Sequence, residues 1–135
     1  MTDTATKILL VAGMANLIVG ALSGIPMATV RQAGATVVPK YLTMLHMAGL
    51  MNGPILIAVG VALTISTLSA WINTAAAVML ATASALLLFK DMLNWRQGVT
   101  DEFAEISLGL KVGKVFGPLF VVGVATATAG VISGI

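Results

Sequence analysis

The chain contains no cysteine, a single histidine, His46, and a single tyrosine, Tyr41. Without thiols, disulfides, thiolate metal sites and thiol catalysis are excluded. One imidazole cannot build a non-heme, histidine-rich metal site within one chain. Charge is equally scarce: Asp, Glu, Lys and Arg make up 9% of the 135 residues, against about a quarter in an ordinary soluble domain. The net charge of +2 comes without a basic cluster, so no nucleic-acid partner is expected.

What fills the chain instead is hydrocarbon. Hydrophobic residues account for 59% of it, and the mean hydropathy is +1.05. A small water-soluble protein of this composition would expose apolar patches far beyond the usual limit. The expected fold class is therefore all-α: an integral membrane four-helix bundle, one domain over residues 1–135, with the lipid bilayer as its surroundings. Residues 8–30 are 23 in a row without a charge, and about 20 suffice to cross a hydrocarbon core of about 30 Å. This run is too long for a secretory h-region and reads as a retained first helix, kinked or ended near Pro26. The second helix is expected over 41–68, the third over 72–95 and the fourth over 115–131. Pro54 lies inside the second and leaves the Leu50 carbonyl without its helical donor. Between the third and fourth, Asp101, Glu102, Glu105, Lys111 and Lys114 alternate with Phe103, Ile106, Leu108 and Leu110, a pattern that predicts an amphipathic interfacial helix.

Cations set the orientation. Arg31, Lys40, Lys90, Arg96, Lys111 and Lys114 share one side, opposed only by Lys7 and the terminal amine. The positive-inside rule places the first and third loops in the cytoplasm and both termini outside, in a bacterial inner membrane. Glycines four apart (Gly20 and Gly24; Gly49 and Gly53; Gly109, Gly113 and Gly117) predict close helix contacts, within the bundle or between copies.

His46 lies roughly one turn inside the second helix. Two readings of it stand: an imidazole bonded to a neighbouring carbonyl, or an axial ligand or proton relay. If it binds metal, heme is the simplest partner, because the porphyrin brings the remaining nitrogens. Asn52 follows about 9 Å along the axis and about 120° around it, either bonding an adjacent helix or pointing a donor at a ligand. Lys90 and Asp91 end the third helix, either snorkelling to headgroups or, for Asp91, reaching inward towards the His46 layer. Met44, Met47 and Met51 read as adaptable packing, and Tyr41 and Trp95 as an interfacial aromatic belt. Helices 1, 2 and 4 carry no mid-membrane carboxylate, which disfavours ion-coupled transport.

The segment His46-Met-Ala-Gly-Leu-Met-Asn52-Gly53, followed by the aliphatic run 55–60, resembles the second-helix motif of the styrene oxide isomerase family. These are small four-helix membrane proteins in which a histidine is followed six positions on by an asparagine. The resemblance is specific over about ten residues and topological elsewhere. It implies a homotrimer with heme b near the subunit interface, His46 as the iron ligand and Asn52 at the substrate. Asp91 is the candidate match for an aspartate on the family's third helix. The tyrosine that accompanies it there has no counterpart, since Tyr41 is in the second helix. The implied activity is the Meinwald rearrangement of a small apolar, aryl epoxide to an aldehyde or ketone, with Asn52 and Asp91 at the reacting group. The alternative from a different class is a non-catalytic membrane heme-binding or accessory subunit.

Overall fold

The computed structural model describes residues 3–135. Four helices follow one another: α1 (Thr4–Gln32), α2 (Lys40–Ala62), α3 (Ala70–Arg96) and α4 (Leu108–Ile132). A short 3-10 turn, Leu63–Ile65, ends the second hairpin arm. Each of the four is long and apolar enough to cross a membrane. The chain is an all-α, four-helix protein with the character of a membrane bundle.

Local chemistry explains where the helices begin and end. The Asp3 carboxylate accepts from the Thr6 amide at 2.8 Å and caps α1, and the Ser107 hydroxyl caps α4 by accepting from Leu110 at 3.0 Å, each satisfying an orphan first-turn donor. At the other ends of α1 and α3 stand Gly34 (φ 91°) and Gly98 (φ 66°). Both close the same motif: Gly34 and Ala35 donate to Arg31 and Val30, and Gly98 and Val99 donate to Trp95 and Asn94. These paired bonds use last-turn carbonyls that would otherwise face the membrane boundary unsatisfied. Pro26, Pro54 and Pro118 all lie within continuous helices, as membrane spans tolerate.

Two boundaries depart from the sequence expectation. Helix α2 stops six residues short of 68 and turns through Leu63–Ile65. Helix α4 starts at Leu108, not 115, so Lys111 and Lys114 ride on its exposed first turns. The expected interfacial helix is not formed: residues 97–107 are turns and bends. The charges there are used to fold the loop back onto the bundle, as described below.

The hairpin α1–α2 is the tightest contact. A Cβ on Gly20 would stand 2.7 Å from the Leu50 nitrogen, and one on Gly49 2.6 Å from the Gly20 Cα. The two backbones therefore touch, which is what small residues permit where lipid removes the hydrophobic drive between helices. Helix α3 packs on both α1 and α2 and carries α4 on its far side. At the end holding both chain termini, Ala5, Leu9, Leu56, Leu63, Ala77, Leu80 and Ala127 from all four helices close one apolar core. The outer faces are aliphatic: Val11, Met14, Ile18 and Leu22 on α1, Met51 and Ile55 on α2, and Val121 and Val122 on α4 are exposed.

Of the glycines paired by spacing, Gly117 has open space around its Cβ direction, whereas Gly20 and Gly49 do not. Gly20→Val should therefore force the hairpin apart and destabilise the protein by about 3 kcal/mol or more, at the upper end for overpacking. Gly117→Ala, which meets no neighbour, should instead stabilise the protein by about 0.5–1 kcal/mol through helix propensity. Thermal unfolding of the two variants in the same detergent checks the contrast.

Candidate functional site

Close approach of α1 and α2 brings a backbone carbonyl within reach of the histidine. His46 Nδ1 lies 2.7 Å from the Gly20 carbonyl oxygen and 3.4 Å from Ser23 Oγ. Ser23 Oγ itself donates to the same Gly20 oxygen at 2.7 Å. A carbonyl oxygen only accepts, so the short contact requires the proton to be on Nδ1. Nε2 is then the basic nitrogen. Among the described residues it has no hydrogen-bond partner, and it is not among the buried unpaired atoms. Gly24 borders the ring: a Cβ there would stand 3.4 Å from His46 Cε1, an ordinary van der Waals contact. The ring is thus held by one nitrogen against α1 and offers the other to the outside of the bundle.

Asn52 also lies on α2, half-buried, and makes no hydrogen bond among the described residues. The buried stripe of α2 runs through Leu42, Leu45, Gly49, Gly53, Leu56 and Gly60. At about 100° per residue, His46 and Asn52 flank that stripe on opposite sides. One chain therefore does not bring them together around a common cavity. Both are polar groups with unused hydrogen-bonding capacity at the bundle surface, where hydrocarbon supplies no partner.

Asp91 turns inward. It is 1% exposed and pairs with Lys90, with Oδ1 at 2.9 Å from Nζ. Oδ1 is an ion-pair partner only, with no aligned hydrogen bond. The Asn16–Ser84 bond, 3.1 Å, sets the register of the parallel helices α1 and α3. Seven residues further along each helix stand Ser23 and Asp91, so Asp91 shares the depth of the His46–Ser23 layer. The structure records no direct contact between Asp91 and His46.

The residue that sequence reasoning passed over is Glu102. From the 97–107 loop, its Oε2 accepts from Lys90 Nζ at 2.7 Å and Asn94 Nδ2 at 2.9 Å. Its backbone amide donates to Tyr41 Oη at 2.9 Å. Asn94 Oδ1 in turn accepts from Ser107 Oγ at 3.0 Å, the α4 cap. One loop glutamate thereby ties α2, α3 and α4 together. Tyr41, read above as a belt residue, is 2% exposed and braces this cluster instead. Lys90, read as a snorkelling cation, is 6% exposed. No local pattern in the sequence announces such a contact, because it joins residues 61 apart across a loop whose fold is itself set by the bond.

The loop has its own staple. Glu105 Oε1 accepts from the Thr100 amide and hydroxyl, both at 2.8 Å, and from the Asp101 amide at 3.0 Å. Donation from the Asp101 amide, then from Thr100, holds its carboxyl below the usual glutamate range. A carboxyl lowered on folding stabilises the loop fully above the ordinary glutamate pKa, and that stability is lost as pH falls through the lowered value.

Histidine, cysteine and carboxylate side chains form no group of three that could hold a metal ion among the described residues. A metal at His46 would have to bring its other ligands with it. No family model matches the chain, and no curated protein or solved structure does either.

Two outcomes follow. Glu102→Ala leaves Asn94 Nδ2 and one Lys90 donor without an acceptor, while Lys90 keeps Asp91, and should destabilise the protein by about 2 kcal/mol. Glu102→Gln, which retains an oxygen acceptor, should cost less; denaturant titration of both variants measures the difference. Separately, amide exchange at Thr100 and Asp101 should speed up in Glu105→Gln at neutral pH while the helix amides are unaffected.

Proposed function

We propose that the protein is a heme-dependent membrane epoxide isomerase, acting on a small apolar epoxide. The observation that carries the reading is the fixed His46 tautomer, with Nδ1–H on the Gly20 carbonyl and Nε2 basic, unpaired and facing outward. That is the arrangement a metal-binding imidazole would need, since a partner on the second ring nitrogen fixes both tautomer and ring orientation. The donor set fits heme b in particular, because one imidazole suffices when a porphyrin supplies the remaining nitrogens. When bound, the heme would supply a Lewis acid for the epoxide oxygen.

The chain's own groups account for the rest. His46 Nε2 would hold the iron, and Gly20 and Ser23 keep the ring from rotating. The Asn52 amide donates to the substrate oxygen and orients it. Asp91, buried at the depth of the His46 layer, lends negative potential to the carbon that becomes electron-poor as the ring opens. Overall one C–O bond would break, a hydride would pass to the carbon that loses oxygen and the remaining C–O bond would become C=O, so no electrons enter or leave. The exposed aliphatic face of α2, with Met47, Met51 and Ile55, keeps water from trapping that carbon as a diol.

His46 and Asn52 flank α2 on opposite sides, so the reading places the site between copies, with His46 of one facing Asn52 of the next. A homotrimer, as in the family the helix motif resembles, closes such an arrangement. Loops 33–39 and 97–107, flanked on the helix ends by Arg31, Lys40, Lys90, Arg96, Lys111 and Lys114, are assigned to the cytoplasmic face of a bacterial inner membrane. A second reading, a heme-binding or accessory subunit without turnover, is favoured by the separation of Asn52 from His46 within one chain.

Purification in mild detergent tests the proposal. The wild type should carry a porphyrin absorption band that His46→Ala loses, and should convert styrene oxide to an aldehyde detectable in the headspace. No porphyrin, or a full band in His46→Ala, contradicts the heme assignment; heme without aldehyde leaves the second reading.

A further inference from the structure

Beneath the 97–107 loop, α3 and α4 leave a groove of about 330 Å³ between them. Its apolar walls are Leu87 of α3, Phe103 of the loop, and Leu110, Phe116 and Gly117 of α4. Leu110 and Gly117 are about 10 Å apart along the axis, so the groove runs from the loop towards the middle of the span. Contacts within the chain fix its shape. A Cβ on Gly113 would stand 3.2 Å from Lys90 Cδ, so that helix turn lies against the lysine stem. Phe116 leans on Phe120, with ring centroids 5.7 Å apart. Phe103 hangs from the loop, its amide donating to Asp101 Oδ1 at 3.0 Å, and is 84% exposed. Nothing stands within 4 Å of a Cβ on Gly117. Glycine inside a helix is destabilising relative to alanine, and no element of this chain uses the space that this one leaves.

The charge on the rim is positive. Lys114 lines the groove, and Lys111 neighbours it on the same side of α4; both are exposed. The ion pairs among the described residues belong to Lys90, 2.9 Å from Asp91 and 2.7 Å from Glu102, so neither α4 lysine has one. Counting that cluster with Lys111 and Lys114, three cations face two carboxylates. Side chains on a helix tilt towards its N-terminus, which for α4 is the loop end. Both ammoniums therefore rise to headgroup level while their stems follow the apolar wall.

A second copy in the same orientation does not complement this rim. At this end α1 presents Arg31, α2 Lys40 and α3 Arg96, so any of those faces would bring like charge to the lysines. The exposed carboxylates here, Asp101 and Glu105, are engaged within their own loop. We infer that the groove seats an anionic phospholipid from the surrounding bilayer. Its phosphate lies on Lys111 and Lys114, and one acyl chain runs along Leu110, Phe116 and Gly117, covering Phe103. The site is on the α3–α4 side of the bundle and is independent of the reading of His46.

Native mass spectrometry tests this on the full chain, released from detergent containing equal phosphatidylglycerol and phosphatidylcholine with identical acyl chains. The wild type should retain one phosphatidylglycerol per chain, favoured over phosphatidylcholine by about fivefold for each of the two lysines, the factor for one cation at an anionic membrane surface. Lys111→Gln with Lys114→Gln should abolish that preference. Arg31→Gln, which removes a cation at the same end but away from the groove, should not. Gly117→Leu, which fills the groove where no neighbour stands in the way, should lower retention of both lipids. Equal retention by the wild type, a preference that survives the paired lysine substitutions, an equal loss in Arg31→Gln, or unaltered retention in Gly117→Leu overturns the proposal. So does a dimer that carries no lipid, the result expected if a second copy fills the groove.

Discussion

The contact between Gly20 and Gly49 is the constraint on which the rest of the molecule depends. Two helices whose backbones touch leave no room for side chains along the seam. What remains exposed there is backbone carbonyl, and the first side chain at the edge of the seam able to reach it is His46. The hydrogen bond to Gly20 is thus a consequence of small-residue packing as much as of the histidine. It also settles which ring nitrogen is basic. Packing, tautomer and ligand capacity form one chain of causes, and enlarging either glycine breaks it at the first step.

A different kind of contact operates at the loop end of the bundle. Near the loop end, α2, α3 and α4 are joined by Glu102, Lys90, Asn94 and Tyr41 rather than by close backbone contact. Buried ion pairs of this kind add little net stability over an apolar replacement, but they are costly to break singly. Their value here is geometric: a loop of turns, with no helix of its own, is fixed in place over the ends of three spans. That leaves Asp91 sharing Lys90 with a second carboxylate, deep in the bundle and level with the histidine layer.

Much of the architecture was legible in the amino-acid pattern, because four uncharged runs separated by Gly, Pro and charge leave little choice of fold. The glycine spacing also identified the α1–α2 seam, though it gave equal weight to Gly117, which meets nothing. Lys111 and Lys114 hid the true start of α4: charge at a span's first turns looks like loop until the side chains are seen to lie on the exposed face. Tyr41 and Lys90 were misplaced for a related reason. Residues at an interface face either headgroups or bundle, and the choice was made by Glu102, a partner from a distant loop. Asn16 and Ser84 drew no notice in sequence because single small polar residues in apolar runs are common; only their juxtaposition shows the bond that sets the α1–α3 register.

Nδ1 of the single histidine carries a proton held on the Gly20 carbonyl, and Nε2 is left without a hydrogen-bond partner among the described residues. Nitrogen-15 solid-state NMR of histidine-labelled protein in bilayers, prepared from porphyrin-starved cells, reads this directly, since the chain offers one ring to observe. The prediction is a proton on Nδ1, with that signal lost from the hydrogen-bonded position when Gly20 is enlarged. A ring with its proton on Nε2 and none on Nδ1 would contradict it.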